Sequence, residues 1–291
     1  MRYEVSHRTT YSYDEDVTDS LGIGYLVPRE LPWQRVLERE LVIEPVASDR
    51  TEDLDYYGNT ATYFQVTTPH TSLDILATSR VEVDTPAYAD DALAVAWESA
   101  RPAGRDDVED AWRAQDFTLP SALANHTEDV RAYAAASLVP GRPIGEAATD
   151  LMHRINTDFA YDKTATTVTS TLEDVMDKRA GVCQDFAHLT LACLRTHGLA
   201  ARYVSGYLAT QPPPGKERVF GADATHAWAA VWLPGGGWLA IDPTNDQWAN
   251  DRYVTLAWGR DYGDVPPVKG VIFTEAKTSS LAVEVDVAPV P

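Results

Sequence analysis

The order of the predicted elements indicates an α+β protein, in which antiparallel strands come first, helices follow and antiparallel strands return. Two periodicities predict this order, because apolar residues alternate early in the chain and recur every three to four residues in its middle. The 291 residues, 32.0 kDa, suit one large domain or two joined ones, and we expect two. The predicted units are an antiparallel β-sandwich over residues 1–86, an acidic linker with helices over 87–143, and a core over 144–291.

The N-terminal unit is predicted from strands. Larger side chains stand at every second position of the first strand, at Tyr3, Val5, His7, Thr9, Tyr11 and Tyr13. Further strands are expected around residues 41–43 and 73–83. Gly58 and Asn59 tolerate positive φ at low steric cost, so they predict a hairpin turn between two strands.

The middle of the chain is predicted to be helical. Acidic residues cluster at 106–110, which suits a linker with short helices and an exposed face. One helix is expected over residues 125–137. A longer helix has its apolar positions at Ile144, Ala148, Leu151, Ile155 and Phe159. Ser170 and Glu173 are predicted to form the capping box of a short helix that closes before Gly181.

The C-terminal unit is predicted to begin with a helix over residues 183–197 that is followed by a sheet. Its strands are expected at residues 201–208, 226–233, 238–241 and, near the end of the chain, 281–287. A glycine turn at 234–237 joins the second and third of these. Cys183 and Cys193 lie about 15 Å apart along one helix. That separation excludes a disulfide between them, because bridged Cα atoms lie within about 7 Å.

The charge excludes some classes of partner. Lys and Arg number 24 against 44 Asp and Glu, so the net charge is -20 and a phosphate backbone or an anionic membrane surface would be repelled. We expect no nucleic-acid or membrane partner. The first seventeen residues lack the apolar core of a secretory signal, and no run of about 18 apolar residues occurs, so a cytoplasmic protein is expected.

Three residues are candidates for nucleophilic catalysis. Cys183 stands in the first turn of its predicted helix, where free backbone N–H groups and the helix dipole favour a thiolate. His226 opens one strand and Asp242 ends the next, so folding the hairpin makes them neighbours. Each residue alone has an ordinary structural explanation. Together they fit a Cys-His-Asp relay, in which the carboxylate fixes the tautomer of the imidazole.

Several segments carry a resemblance to a known family. They are residues 181–189 (GVCQDFAHL), 201–208 (ARYVSGYL), 226–228 (HAW), 242–245 (DPTN) and 259–265 (GRDYGDV). In order and spacing they resemble the motifs of the bacterial transglutaminase-like proteins, members of the papain-like cysteine enzyme superfamily. The resemblance covers residues 147–271, and residues 1–86 resemble, more loosely, the β-rich N-terminal region that accompanies this core.

The resemblance implies a papain-like core in which the Cys183 helix packs on an antiparallel sheet that carries His226 and Asp242. It implies that Cys183 is the nucleophile, His226 the base and then the acid, and Asp242 the orienting carboxylate. The thiolate would attack a Gln side chain or peptide-like amide and form a thioester that water or an amine resolves, without a cofactor. The Cys183 backbone N–H would stabilise the oxyanion together with a second donor that is not identified from the sequence.

Other residues have weaker signals. Substrate contact or support of the triad is predicted for Gln184, Asp185, Trp228 and Asp223. Asp223 lies in a segment from Gln211 that is long enough to cover the cleft or to be an ordinary surface loop. Asp185 and His188 stand one helical turn apart, which fits a local hydrogen bond better than a metal site, and no metal is expected.

Three functions stay open at this point. The leading one is transglutaminase-like acyl transfer or hydrolysis at the amide bonds of a peptide or protein, with an amine as a possible acceptor. A cysteine peptidase is the nearest alternative within the enzyme class. A non-catalytic module that holds a peptide on the same fold is the alternative from another class.

Overall fold

The computed structural model describes residues 1–105, 108, 110–167, 170–210 and 225–290. Its N-terminal part is built from five strands, β1 to β5, which are Arg2–Gly24, Gln34–Glu44, Asp49–Leu54, Thr60–Val66 and His70–Val83. The alternation predicted for the first strand is present, since Tyr3, Val5 and His7 are buried and their neighbours are mostly exposed. The turn at Gly58 joins β3 to β4, with φ of 72° at that glycine.

The long first strand organises the N-terminal sheet. The first half of β1 pairs with β5 and its second half with β4, with an irregularity between Ser12 and Val17. The sheet therefore curls, and apolar side chains from three of its strands, Leu41, Phe64 and Ile75, meet in one buried cluster. The expected sandwich is thus made by a single curled antiparallel sheet whose two parts share β1.

The last two strands complete this N-terminal sheet. These are β13 (Val268–Thr274), which pairs with the second half of β1, and β14 (Ser279–Val290), which pairs with its first half. The predicted domain boundary was therefore wrong for residues 268–290, which were assigned to the C-terminal core. The alternating pattern of β14 predicts a strand, which the structure confirms, but it does not specify the pairing partner. Val285 and Val287 are buried beside Tyr3 and Val5.

Six helices are described in the middle of the chain. They are α1 (Asp90–Leu93), α2 (Ala111–Gln115), α3 (Glu128–Ala135), α4 (Ile144–Asp158), α5 (Leu172–Lys178) and α6 (Cys183–Arg195). The capping box of α5 lies one residue later than predicted, because Thr171 and Asp174 form it and not Ser170 and Glu173. Thr171 has the extended backbone that an N-cap requires, and its hydroxyl accepts the Asp174 N–H. No helix of the described residues is long and apolar enough to cross a membrane.

A second antiparallel sheet carries the C-terminal unit. Its strands are β8 (Ala201–Leu208), β9 (Thr225–Leu233), β10 (Gly237–Asp242), β11 (Gln247–Trp248) and β12 (Tyr253–Gly259), in the spatial order β11-β10-β9-β8-β12. Two short strands, β6 (Ala160–Tyr161) and β7 (Ala180–Gly181), pair in parallel just before α6. Helix α6 packs on β8 and β9, and α3, α4 and α5 surround it. The α+β class and the helix-on-sheet core are as predicted.

The two sheets are joined by buried polar contacts. Gln34, which is 1% exposed, donates its side-chain amide to the carbonyl of Thr255 and accepts the Thr255 N–H, both at 2.8 Å. His7 in β1 contacts the hydroxyl of Tyr207 in β8 at 2.9 Å. A continuous apolar core also includes residues from both sheets and from α4 and α6. The N-terminal sheet is therefore a structural part of the same folded unit.

Candidate active site

Cys183 is the first residue of α6 and is half-buried. The turn before it is fixed by Asp185, whose carboxylate accepts the Val182 N–H at 2.8 Å and the Thr166 hydroxyl at 2.6 Å. Gly181 is required here, since a Cβ at this position would lie 2.8 Å from Asp185 Oδ2. The thiol thus stands where helical N–H groups have no intrahelical acceptor and favour negative charge.

His226 lies near the start of β9 and reaches Asp242 at the end of β10. The ring Nε2–H donates to Asp242 Oδ2 at 2.7 Å. Trp228 stacks against the ring with a centroid distance of 6.0 Å and an interplanar angle of 29°. The hairpin register, in which Ile241 pairs with Ala229, places the two ends side by side as the sequence indicated.

Asp242 is fully buried and holds its orientation through several donors. Its Oδ2 accepts hydrogen bonds from the Tyr253 hydroxyl and the Asn245 side-chain amide, each at 2.7 Å, besides that from His226. Its Oδ1 accepts the backbone N–H of Thr244 at 2.9 Å. Burial raises the pKa of this carboxyl, but the hydrogen bonds and the charge of His226 outweigh burial and leave the pKa below its ordinary value. Asp242 is therefore an ionised acceptor.

The imidazole of His226 is influenced by both Asp242 and Cys183. Its Nε2 is engaged by Asp242, so Nδ1 is the ring nitrogen that remains for a second partner. Burial lowers the pKa of His226, but the hydrogen bond to Asp242, the neighbouring Cys183 side chain and the negative charges of both reverse this and raise the pKa to about 10. The arrangement can hold a proton on the ring beside a sulfur nucleophile.

The other predicted site residues lie in different surroundings. Trp228 is 1% exposed, so its surface is available to His226 and to the core and not to a substrate. Asp185 is buried and supports the turn before Cys183. Gln184 follows Cys183 in α6 and is partly exposed, which leaves its side chain near the thiol end of the helix. Asp223 and the segment beginning at Gln211 lie outside the described residues.

The suggested pairing of Asp185 with His188 does not form a joint site. His188 Nε2 accepts the backbone N–H of Tyr262 at 3.2 Å, and its ring stacks on Tyr203 at 5.1 Å. Burial lowers the pKa of His188 to about 4 against the opposing charge of Asp261. Within the described ranges, no group of three or more His, Cys, Asp or Glu side chains is arranged to hold a metal ion.

Three residues near the triad were missed at the sequence level. Tyr253 and Asn245 orient Asp242, and Tyr161 lies opposite Gly181 in the β6–β7 pair with its ring against Phe186. Asn245 and Asp242 both lie in the DPTN segment. Their short separation in the sequence could have identified Asn245 as a partner of Asp242. Tyr253 and Tyr161 belong to other strands, and nothing in their local pattern distinguishes them from core tyrosines.

Comparison with known proteins gives two domain matches. Residues 3–82 match the bacterial transglutaminase-like N-terminal region, and residues 131–243 match the transglutaminase-like superfamily. An uncharacterized protein of Mycobacterium tuberculosis is 48% identical over 295 residues, which covers 99% of this chain and 93% of the relative. A protein of Mycobacterium leprae is 32% identical over 277 residues, with coverage of 93% and 92%.

A solved structure from Cytophaga hutchinsonii, described as a candidate cysteine protease, superimposes with a TM-score of 0.76 at 21% identity, over 100% of this chain and 92% of that one. This likeness establishes the fold. A Pseudomonas aeruginosa protein named protein-glutamine gamma-glutamyltransferase is 36% identical over 98 residues, 32% of this chain and 15% of the relative. With both domain matches in the predicted order and a near full-length relative, the chain belongs to the bacterial transglutaminase-like proteins.

Proposed function

We propose that this protein is a cysteine-dependent enzyme that transfers or hydrolyses acyl groups from amide bonds through a thioester. The observation that carries the proposal is His226, whose Nε2–H donates to the buried carboxylate of Asp242 at 2.7 Å and whose pKa is raised by Asp242 and by the nearby Cys183. A histidine that served only structure would not need both an ionised carboxylate bound to its ring and a potential nucleophile nearby.

In the proposed first half-reaction, the Cys183 thiolate attacks the amide carbonyl carbon, a C–S bond forms and the carbonyl oxygen becomes an oxyanion. Collapse of this intermediate breaks the C–N bond, and the leaving nitrogen takes the proton from the His226 imidazolium. In the second half, His226 removes a proton from water or a primary amine that attacks the thioester, and the thiolate leaves. Asp242 stabilises the imidazolium in both halves.

The oxyanion requires two donors, and we assign one to the backbone N–H of Cys183 and the other to the Tyr161 hydroxyl. Tyr161 lies in β6 and pairs with Gly181, which is two residues before the cysteine. Its ring packs beside Phe186 in the first turns of α6. Burial, and then the negative charge of Cys183, raises the pKa of Tyr161. The hydroxyl therefore stays protonated and can donate.

The assignment predicts that Tyr161→Phe lowers kcat on the order of 10²–10³-fold while KM changes little, as loss of one oxyanion donor does. Tyr133→Phe is the matched control, because it removes an exposed tyrosine hydroxyl that already donates to Asp158, at 2.9 Å. Equal rates for Tyr161→Phe and the wild type would exclude Tyr161 from this role.

The direct test incubates the protein with glutamine-containing peptides, with and without a primary amine, and follows ammonia release and product mass. Acyl transfer gives ammonia and an amine adduct, hydrolysis gives ammonia and glutamate, and a peptidase gives backbone cleavage without ammonia. The description of the Cytophaga hutchinsonii structure supports the peptidase alternative. The name of the Pseudomonas aeruginosa relative supports acyl transfer.

The assay needs a variant that removes the sulfur alone. Cys183→Ala serves this purpose, and a mass increase that matches the acyl group should be trapped on the wild type and not on this variant. If no peptide yields ammonia, cleavage or a covalent adduct, while peptides still bind with the same affinity to both proteins, a non-catalytic binding module replaces the enzyme. A cytoplasmic location stays a prediction of the sequence, and fractionation of the native cells tests it.

A further inference from the structure

The face of the second sheet that carries Trp228 contains a buried arginine with unusual surroundings. Arg202 in β8 is 7% exposed. Its guanidinium carbon lies 3.5 Å from the ring centroid of Trp258 and 4.4 Å from that of Trp238. Aromatic faces attract cations, so this clamp fixes the position of the guanidinium group.

Arg202 lacks the acceptors that a buried guanidinium normally has. Its Nε is buried without a hydrogen-bond partner, and none of the described residues accepts a hydrogen bond from it or forms an ion pair with it. Arginine remains protonated in proteins and offers five N–H donors. Buried charges are otherwise paired, because transfer of an uncompensated ion from water is strongly unfavourable.

A second cation makes this local charge larger. The guanidinium carbon of Arg29 also lies 3.5 Å from the centroid of Trp258. Two guanidinium groups cannot share one position over a ring face, so they cover opposite faces of Trp258. Arg29 has acceptors of its own, the side-chain oxygen of Asn59 and the carbonyl of Tyr57. Burial and then repulsion from Arg29 hold the pKa of Arg202 well below its ordinary value.

A small cavity adjoins the unpaired group. It has a volume of about 20 Å³, and Arg202, Trp33, Trp228 and Tyr253 are among the residues that line it. A cavity of this size accepts one water molecule or one halide ion, since about 10–15 Å³ is the minimum for a water molecule. Its walls are mostly aromatic and aliphatic, so the guanidinium is the dominant charge that an occupant would meet.

We propose that this cavity is a binding site for a small monovalent inorganic anion, with chloride as the occupant. An anion there would accept hydrogen bonds from the Arg202 N–H groups and compensate a charge that the described residues leave unpaired. A larger carboxylate or a sulfate would not fit the volume. The net charge of -20 opposes anions at the surface, but the buried Arg202 and the partly buried Arg29 set the potential at this point.

The cavity shares two of its lining residues with the surroundings of His226 and Asp242. Trp228, which lines the cavity, stacks on His226, and Tyr253, which also lines it, donates to Asp242. The anion would therefore stabilise the aromatic layer on which the imidazole rests. This inference is independent of the proposed catalytic activity, because it concerns the occupancy of a cavity and not the chemistry of Cys183.

Thermal unfolding in sodium chloride and in sodium gluconate at equal ionic strength tests the site, because both salts screen the acidic surface but gluconate is too large for the cavity. The wild type should melt at least about 2 °C higher in chloride, and the difference should grow with chloride concentration. Arg202→Met should abolish this difference. Arg113→Met is the matched control, since Arg113 lies over the exposed Trp112 and should keep it.

A direct readout uses bromide in wild-type crystals, which avoids any loss of folding in the Arg202 variant. An anomalous peak within hydrogen-bond distance of the Arg202 guanidinium supports the proposal. Equal melting temperatures in chloride and gluconate, or bromide peaks elsewhere with none beside Arg202, would overturn it.

Discussion

Two cysteine and histidine pairs at α6 show how the same residue types acquire different chemistry. Cys183 is the first residue of the helix and lies near His226, whereas His188 and the fully buried Cys193 lie further along it. The pKa of His226 is raised to about 10, whereas that of His188 is lowered to about 4. Burial acts in the same direction on both rings.

The difference comes from the partners of each ring. Asp242 accepts a hydrogen bond from His226, and the negative charges of Asp242 and Cys183 raise the pKa of this ring, while His188 accepts a backbone N–H and so needs a neutral nitrogen. The cysteines also differ in their surroundings, because Cys193 is fully buried in the core, which raises its pKa, whereas Cys183 is half-buried at the start of the helix. Position relative to charges and helix ends, and not residue type, therefore distinguishes Cys183 and His226 from the packed Cys193 and His188.

The largest expected effect separates the two cysteines. Cys183→Ala should reduce ammonia release from glutamine peptides on the order of 10⁵–10⁶-fold, because it removes the nucleophile of a cooperative set. Cys193→Ala should leave the rate within a few-fold and lower the free energy of unfolding by about 1 kcal/mol through a small cavity. If Cys183→Ala kept an activity close to that of Cys193→Ala, Cys183 would not be the nucleophile.

The next effect tests the carboxylate. Asp242→Asn should keep the fold but lower kcat on the order of 10⁴-fold, since an amide no longer fixes the imidazole tautomer or stabilises the imidazolium. Asp246→Asn is a matched control, because Asp246 contacts the ring of the exposed His153 at 2.8 Å. The rate of Cys183 alkylation by iodoacetamide at pH 6 should fall in the first variant only.

Much of this arrangement was predictable from the sequence. The glycine turn at 234–237 fixes the register of a hairpin, and register alone brings Asp242 to His226. The position of Cys183 in the first turn of its helix follows equally from the start of an amphipathic pattern. Both are short-range consequences of spacing. The one-residue error at the α5 capping box shows the limit, because Ser170-Thr171 offers two competent caps and Glu173-Asp174 two competent acids.

The long-range features were not predictable in the same way. Tyr253 is brought to Asp242 by the position of β11 and β12 in the sheet, and nothing near Tyr253 in the sequence encodes that order. The return of β13 and β14 to the first sheet is of the same kind, since an alternating strand fits any half-buried edge. The contact of Arg202 with two distant tryptophans also depends on topology.

A smaller effect is expected at the hydroxyl that supports Asp242. Tyr253→Phe removes a hydrogen bond to a charged group, so kcat should fall about 10–100-fold. Tyr207→Phe also deletes a buried hydroxyl, the one that contacts His7 at 2.9 Å, but it should lower stability and leave kcat unchanged. A kcat loss of the same size in both variants would assign the effect to general loosening of the sheet.

The smallest effect concerns stability against pH. The raised pKa of His226 gives stability that is complete below about pH 6.5 and is lost as the pH rises toward about 10. The lowered pKa of His188 gives stability that is present above about pH 6.5 and is lost as the pH falls toward about 4. Each contribution should be on the order of 1–3 kcal/mol.

Urea unfolding of two glutamine variants separates these contributions. Relative to the wild type, His226→Gln should lose less stability between pH 7 and 10, and His188→Gln should lose less between pH 7 and 4. The opposite assignment, or identical profiles for both variants, would show that the two rings do not titrate as their surroundings imply.

The register of β1 with β14, in which Arg2 pairs with Val290, has a consequence for biogenesis. Strand β1 is synthesised well before β14, so it cannot acquire this neighbour until residues 279–290 have been made. Contacts of such sequence separation slow folding, and an unpaired edge invites aggregation during the delay. A nascent chain arrested before residue 279 should therefore expose β1 to proteases and chaperones, although every residue of the triad has already been synthesised.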